Sequence, residues 1–262
     1  NYTCLDGHKG NSMTIRNNRI TLETGLGRGV SYPPFGDLVV GIEQWSGFPG
    51  GVVIEGNYLD FALSPMYGRF VPLEQKEDPN YRPDLPNHEY YIGTGILVRY
   101  ACGKVIIANN VVRNMNAQAI NAIGNMATAD VTIRNNTIVS EIYGSYPFFQ
   151  RWAGNGITAQ VAWTDPKPGF HVEITDNTIK LDELNYCGIR LQGPDDAPGG
   201  SGKLINGIVK NNHIHLGDGS IGISATSCDG FEITGNTLSG KAYYGIGVFP
   251  HVDPKRPILG AH

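Results

Sequence analysis

The sequence predicts an all-β solenoid of about seven coils that carries long loop insertions, and three observations predict it. A phrase of roughly the form apolar-x-Ile-x-(Asn/Asp/Gly)-Asn-x-apolar recurs along nearly the whole chain, the mark of a stacked-repeat architecture. A small residue followed by Ile returns once after each phrase. Both phrases alternate apolar and polar residues, the period of a strand with one buried face, and helical periodicity is absent over any useful length.

Taken in order, the phrase reads MTIRNNRI from Met13, VVIEGNYL from Val52, VIIANNVV from Val105 and VTIRNNTI from Val131. It returns as VEITDNTI from Val172, GIVKNNHI from Gly207 and FEITGNTL from Phe231. Its second polar position is Asn throughout: Asn18, Asn57, Asn110, Asn136, Asn177, Asn212 and Asn236. The steps between them are 39, 53, 26, 41, 35 and 24 residues, so the shortest steps are bare units and the longer ones are units with insertions. The paired signature is Gly41-Ile42, Gly95-Ile96, Ala119-Ile120, Gly156-Ile157, Gly188-Ile189, Gly222-Ile223 and Gly245-Ile246. Two or three short strands per unit cannot bury a core alone; units stacked in register can.

Asn tolerates left-handed backbone and bonds across turns. Stacked coils set equivalent side chains about 4.8 Å apart, where amides bond along the stack as a ladder. On these repeats, from residue 13 to about 249, the chain resembles the right-handed parallel β-helix repeats of the pectate-lyase-like superfamily. The resemblance implies a single-stranded right-handed parallel β-helix. It stops short of an activity, since fold alone does not confer function. Polygalacturonase-like enzymes carry Asn-Thr-Asp, Asp-Asp, Gly-His-Gly and Arg-Ile-Lys segments on successive coils. This chain has only Asp195-Asp196, inside the loop GPDDAPGGSG. The clustered strand Asp ligands of calcium-dependent pectate lyases and the paired Asp of pectin methylesterases are also missing.

Composition agrees with a turn-dense β-solenoid: 35 Gly and only 17% charged residues. A net charge of −4 lacks the basic footprint of a nucleic-acid binder. No apolar run approaches the roughly 18 residues that span a bilayer. A solenoid grows by addition, so residues 1–262 read as one domain. The chain opens on Asn1 rather than Met and is expected to be a fragment of a longer or processed chain. Open ends of a stacked sheet are reactive edges, to be capped by further sequence or by a partner. Cys102 and Cys228 hold equivalent positions four repeats apart, about 19 Å at strand spacing, too far for a disulfide. Cys4 and Cys187 read with them as buried thiols.

The insertions carry the functional expectation, since connecting segments are where scaffolds carry function. From the ladder Asn to the small-Ile pair the bare connection is 9 to 11 residues, but it is 23 after Asn18, 38 after Asn57 and 20 after Asn136. The short third coil thus lies between two tall ones, a groove with Arg113, Asn114, Asn116 and Gln118 on its floor. Its walls are residues 61–93 and 140–155. With residues 24–40 these walls hold 13 of the chain's 25 aromatics in 66 positions, a density that offers flat faces to sugar rings as well as ballast for loop packing. Tyr67, Tyr143, Tyr146 and Trp152 are the candidate stacking surfaces, and Asn116, Arg99 and Arg151 the candidate polar and carboxylate-binding contacts.

Outward positions align Asp60, Arg113 and Lys180 in one column, with His215 further along. Arg113 is the candidate charge neutraliser or base, Glu141 the acid or base, and His88 or Tyr90 a proton donor. Glu43 or Glu89 with Glu141 would instead suit glycoside hydrolysis at a separation of about 5–9.5 Å. A solvated salt-bridge ladder is the bland alternative. The pair His213 and His215 shares a strand face but lacks a third metal ligand nearby. No cofactor is expected; calcium is admissible, although no ligand cluster is visible. The expected function is binding, with or without cleavage, of a polysaccharide outside the cell or at its surface. The rival is a non-catalytic surface, adhesin or phage-tail-type module with a structural or glycan-binding role.

Overall fold

The computed structural model describes residues 2–7, 11–23, 37–45, 48, 50–62, 91–99, 103–115, 118–125, 129–140, 155–161, 170–181, 185–193, 205–226, 228 and 230–249. Among these residues the regular structure is all strand, and the strands build a parallel β-helix with three faces. Face one stacks β2 (Met13–Arg16), β5 (Val52–Glu55), β8 (Lys104–Ala108), β11 (Asp130–Arg134), β14 (Phe170–Thr175), β17 (Ile205–Lys210) and β19 (Phe231–Thr234). Face two stacks β3 (Arg19–Glu23), β6 (Tyr58–Ala62), β9 (Val111–Arg113), β12 (Thr137–Ser140) and β15 (Thr178–Leu181). Face three stacks β1 (Tyr2–Gly7), β4 (Asp37–Trp45), β7 (Tyr91–Arg99), β10 (Ile120–Asn125), β13 (Asn155–Val161) and β16 (Asn185–Gln192). Two long strands, β18 (His213–Thr226) and β20 (Thr237–Phe249), turn the corner unbroken and complete both faces two and three. Each unit therefore supplies three strands, and every pairing joins successive coils in parallel.

The two polar positions of the repeated phrase do different work. The first takes the left-handed turn from face one to face two: Asn17, Asn109, Asn135, Asp176 and Asn211 have φ between 53° and 57°, and Gly56 and Gly235 have 67° and 65°. Only Gly and short polar side chains enter that region cheaply. The second position is the ladder. Each Asn donates its backbone N–H and its Nδ2 to the Oδ1 of the next, at 2.9–3.0 Å, from Asn18 through to Asn236.

The core is a set of columns. Ile42, Ile96, Ile120, Ile157, Ile189 and Ile223 lie in register and are fully buried. Burial of each side chain stabilises by roughly 1.5–3 kcal/mol. The small residue before each Ile sits at the corner between faces two and three. A Cβ on Gly188 would stand 2.5 Å from Ile214 and 2.7 Å from the Gly222 carbonyl oxygen, which explains why this position stays small.

Candidate functional site: an amide-lined outer face

The outward columns of the three faces differ in chemistry. Face one carries charges and aliphatics in the column Thr14, Val53, Ile106, Thr132, Glu173, Ile208 and Glu232. Beside it Arg16 pairs with Glu55 at 3.0 Å. Face two aligns Asp60, Arg113, Val139, Lys180, His215 and Ser239, the column expected from sequence with Val139 interposed. Asp60 accepts from the Tyr58 hydroxyl at 3.1 Å and from Asn114 Nδ2 at 2.9 Å. The Arg19 guanidinium lies 4.4 Å from the centre of the Tyr58 ring, an attractive cation–π contact.

Face three is different. Alternation about the core Ile column directs Asn121, Thr158, Gln160, Gln192 and Ser224 outward, and side-chain hydrogen bonds join Gln118 and Asn155, two residues before the core Ile, to the same side; none of these is more than 7% exposed. All are uncharged hydrogen-bonding groups. The centre of the patch is built on two successive rungs. Asn121 Nδ2 donates to Gln118 Oε1 at 2.9 Å on one, and Asn155 Nδ2 donates to Thr158 Oγ1 at 3.1 Å on the next. The side-chain carbonyl oxygens of Asn121 and Asn155 are buried and have no hydrogen-bond partner among the described residues. A buried acceptor left unmatched costs about 1–3 kcal/mol, so both oxygens call for a donor from outside the sheet.

Charge enters this face at few points. Glu43 Oε1 lies 3.3 Å from Arg99 Nε, a largely buried ion pair spanning β4 and β7, the latter adjacent to the amide centre. Arg190 stands in the same column as Thr158 on the following rung. Beside it, Cys187 is fully buried, and burial pushes its thiol up to about 12 against the opposing influence of Arg190 and a hydrogen bond with Ser224. Cys187 is a packed thiol and no nucleophile.

The residues expected from sequence distribute unevenly. Arg113 is half-buried on face two; its Nε is buried without a hydrogen-bond partner, and it forms no ion pair among the described residues. Arg99, expected to bind a substrate carboxylate, instead faces the chain's own Glu43. Of the remaining floor positions, Asn114 and Gln118 are buried, and Gln118 belongs to the face-three patch. Tyr67, His88, Asn116, Glu141, Tyr143, Tyr146, Arg151 and Trp152 lie outside the described residues. His213 and His215 share β18, and no group of three metal-ligating side chains occurs among the described residues. Sequence reading passed over Asn121, Asn155, Thr158, Gln160 and Gln192. For all but Asn155, which precedes its pair, the signal was present in the residues after four of the small-Ile pairs (AINA, GITAQ, GIRLQ, GISAT), where the outward positions are amides, hydroxyls and one Arg.

Inside the helix one polar group breaks the pattern. Gln44 occupies the inward column of Val98, Ala122, Ala159, Leu191 and Ala225, is fully buried, and neither its amide nitrogen nor its oxygen has a hydrogen-bond partner among the described residues.

Comparison of the chain with protein-family models, with curated proteins and with solved structures finds no match. The fold and the site therefore define a parallel β-helix with an amide-lined outer face.

Proposed function

We propose that the chain is a carbohydrate-recognising β-helix, acting outside the cell or at its surface, and that face three takes a stretch of polysaccharide along the stack. The observation that carries this reading is the pair of buried, unmatched acceptors Asn121 Oδ1 and Asn155 Oδ1 on adjacent rungs of an uncharged amide and hydroxyl patch. Sugar hydroxyls are donors and acceptors at once, and a ligand site places a few convergent polar groups on a preformed surface. Adjacent strands offer such groups every 4.7–4.9 Å or so. Cleavage is the second reading, favoured by Arg113, a cation beside Asp60 on the neighbouring face whose Nε has no acceptor among the described residues.

The test is a binding screen against neutral and uronate-containing polysaccharides, with reducing ends and unsaturated product followed in the same samples. Asn121→Ala and Asn155→Ala are expected each to weaken binding about tenfold or more, the equivalent of one lost hydrogen bond of about 1.4 kcal/mol. Arg134→Ala, on exposed face one, is the unaffected control. Binding that ignores both Asn substitutions, or no binding across the panel, rejects the face-three site. Product formation lost in Arg113→Ala adds cleavage to recognition; binding with no product leaves recognition alone.

A further inference from the structure

The corner between faces one and two is the one that does not border face three, and its turn is two residues long in every unit. The seven turns vary at the left-handed position and at the residue that opens face two. Asn at the first together with Thr at the second occurs once, in Asn135-Asn136-Thr137. Asn-x-Thr, with x other than Pro, is the acceptor sequence for N-linked sugar, and the structural context that supports it is a surface turn.

Asn135 meets that condition. It is exposed at φ 53°, and its backbone N–H donates to the Thr175 carbonyl at 3.2 Å. Gly56 and Gly235 make the same turn with no side chain at all, so the Asn135 amide is not needed to hold it. Its neighbour Asn136 is the opposite case. Asn136 is buried, and its Nδ2 donates to the Ile107 carbonyl at 2.9 Å and to Asn177 Oδ1 at 3.0 Å. One amide of the pair is committed to the ladder and the other faces solvent.

We infer that Asn135 is an N-glycosylation site, which rests on the export in the reading above. Transfer acts on the emerging chain. Asn135 Nδ2 bonds to the anomeric carbon of an oligosaccharide, the bond from that carbon to a lipid-pyrophosphate carrier breaks, and one Nδ2 proton passes to the transferase. The fold then decides whether the coil can close over the product. At this bare two-residue corner it can, and the glycan stands over the edge of faces one and two and leaves face three open.

The test expresses the full chain in a bacterial cytosol and, behind a cleavable leader, in a eukaryotic secretory host. The leader supplies export, so the acceptor is tested apart from it. The cytosolic product is expected at 28.4 kDa and the secreted one above it. An amidase that cleaves the sugar–Asn bond removes the excess, and peptide mapping separates Asn135 from Asn1-Tyr2-Thr3, the chain's other Asn-x-Thr. Asn135→Asp, a residue the same turn carries at Asp176, is expected to lose the sugar at this site with Tm unchanged. Thr137→Val, matching Val111 on the adjacent rung, loses it too, and Thr137→Ser keeps it. A secreted, folded chain with Asn135 unmodified overturns the inference, as does a mass excess that Asn135→Asp and Thr137→Val both leave unchanged. Polysaccharide binding is measured on both products and is expected to be equal. Weaker binding by the secreted product alone overturns the stated position of the glycan. Binding by neither rejects the face-three reading, and the mass result still decides the site.

Discussion

Substituting Asn177 by Ala tests the central claim about what holds the coils in register. Asn177 is fully buried. Its Nδ2 donates to the Ile133 carbonyl at 3.0 Å and to Asn212 Oδ1 at 2.9 Å, and its Oδ1 accepts from the backbone N–H and the Nδ2 of Asn136, both at 3.0 Å. The substitution removes all four bonds and leaves the Asn136 N–H, a buried backbone donor, without this acceptor. At about 1 kcal/mol net for each bond, the loss is about 4 kcal/mol. In a chain of this size that corresponds to roughly 10 °C in Tm. The same change at Asn18 removes the two bonds from its Nδ2, to the Arg16 carbonyl and to Asn57 Oδ1, at a half-buried end where water takes their place. Asn57 Oδ1 keeps the Asn18 N–H, so the expected cost there is below about 1 kcal/mol. Urea unfolding of both variants measures the difference, provided the m-values agree. Asn177→Asp is expected to fare no better than Ala, since it restores the acceptor but turns oxygen toward oxygen at Ile133 and Asn212. Equal losses for Asn18→Ala and Asn177→Ala, or a loss under about 1 kcal/mol at Asn177, would refute the ladder as a source of stability.

Three further outcomes are expected. Gly188→Val drives a branched side chain against Ile214 and the Gly222 carbonyl; overpacking of this kind costs about 1–3 kcal/mol, and a variant as stable as wild type in urea would show that the corner yields. Gln44→Leu replaces an inward amide, unmatched among the described residues, by the residue that its column carries at Leu191, and is expected to stabilise by about 1–3 kcal/mol; a lower Tm would mean that Gln44 has a polar partner in solution. The His171 imidazole is pulled down by burial, but hydrogen bonds to Asn206 and Glu173 and the charges of Asp130 and Glu173 outweigh this and hold it above the usual 6.5. A raised folded-state value means that the protonated ring stabilises the fold below pH 6.5 and that this contribution fades as pH rises through the folded value. The stability gap between wild type and His171→Gln is therefore expected to narrow from pH 6 to pH 8, and an NMR titration midpoint for His171 below 6.5 would contradict it.

The parts of the molecule legible in the sequence are those where the backbone restricts the choice of residue. A left-handed turn admits Gly, Asn or Asp, a ladder needs an amide on every rung, and a crowded corner needs Gly or Ala. Each requirement recurs once per coil, so Asn17-Asn18, Asn135-Asn136 and Gly188-Ile189 announce themselves by repetition. The column of Asp60, Arg113 and Lys180 followed from the same register. The face-three site was not legible because no shared backbone requirement acts on its outward positions. Glu43, Leu97, Asn121, Thr158, Arg190 and Ser224 occupy one column with six different side chains. Arg99 was singled out as a cation near a groove, and its partner Glu43 is 56 residues away in sequence but diagonal to it across two rungs.

That heterogeneity is itself informative about face three. A β-helix is indifferent to what its outer columns carry so long as they are solvated, and faces one and two accordingly hold exposed charges such as Arg16, Arg134, Lys180 and Lys210. Burial removes the indifference. A sheltered Lys or Glu needs a partner of opposite charge, and on this face the ion pair among the described residues is Arg99 with Glu43. The other sheltered positions hold groups that keep hydrogen-bonding capacity at no cost in buried charge. Amides serve best, because one side chain can satisfy a neighbour through Nδ2 and still present Oδ1, as Asn121 and Asn155 both do. A face that had only to pack would carry more residues like Leu97, which is as buried as its neighbours and leaves nothing unmatched. Retained acceptors on two consecutive rungs fit a face that meets an uncharged, hydroxyl-bearing partner.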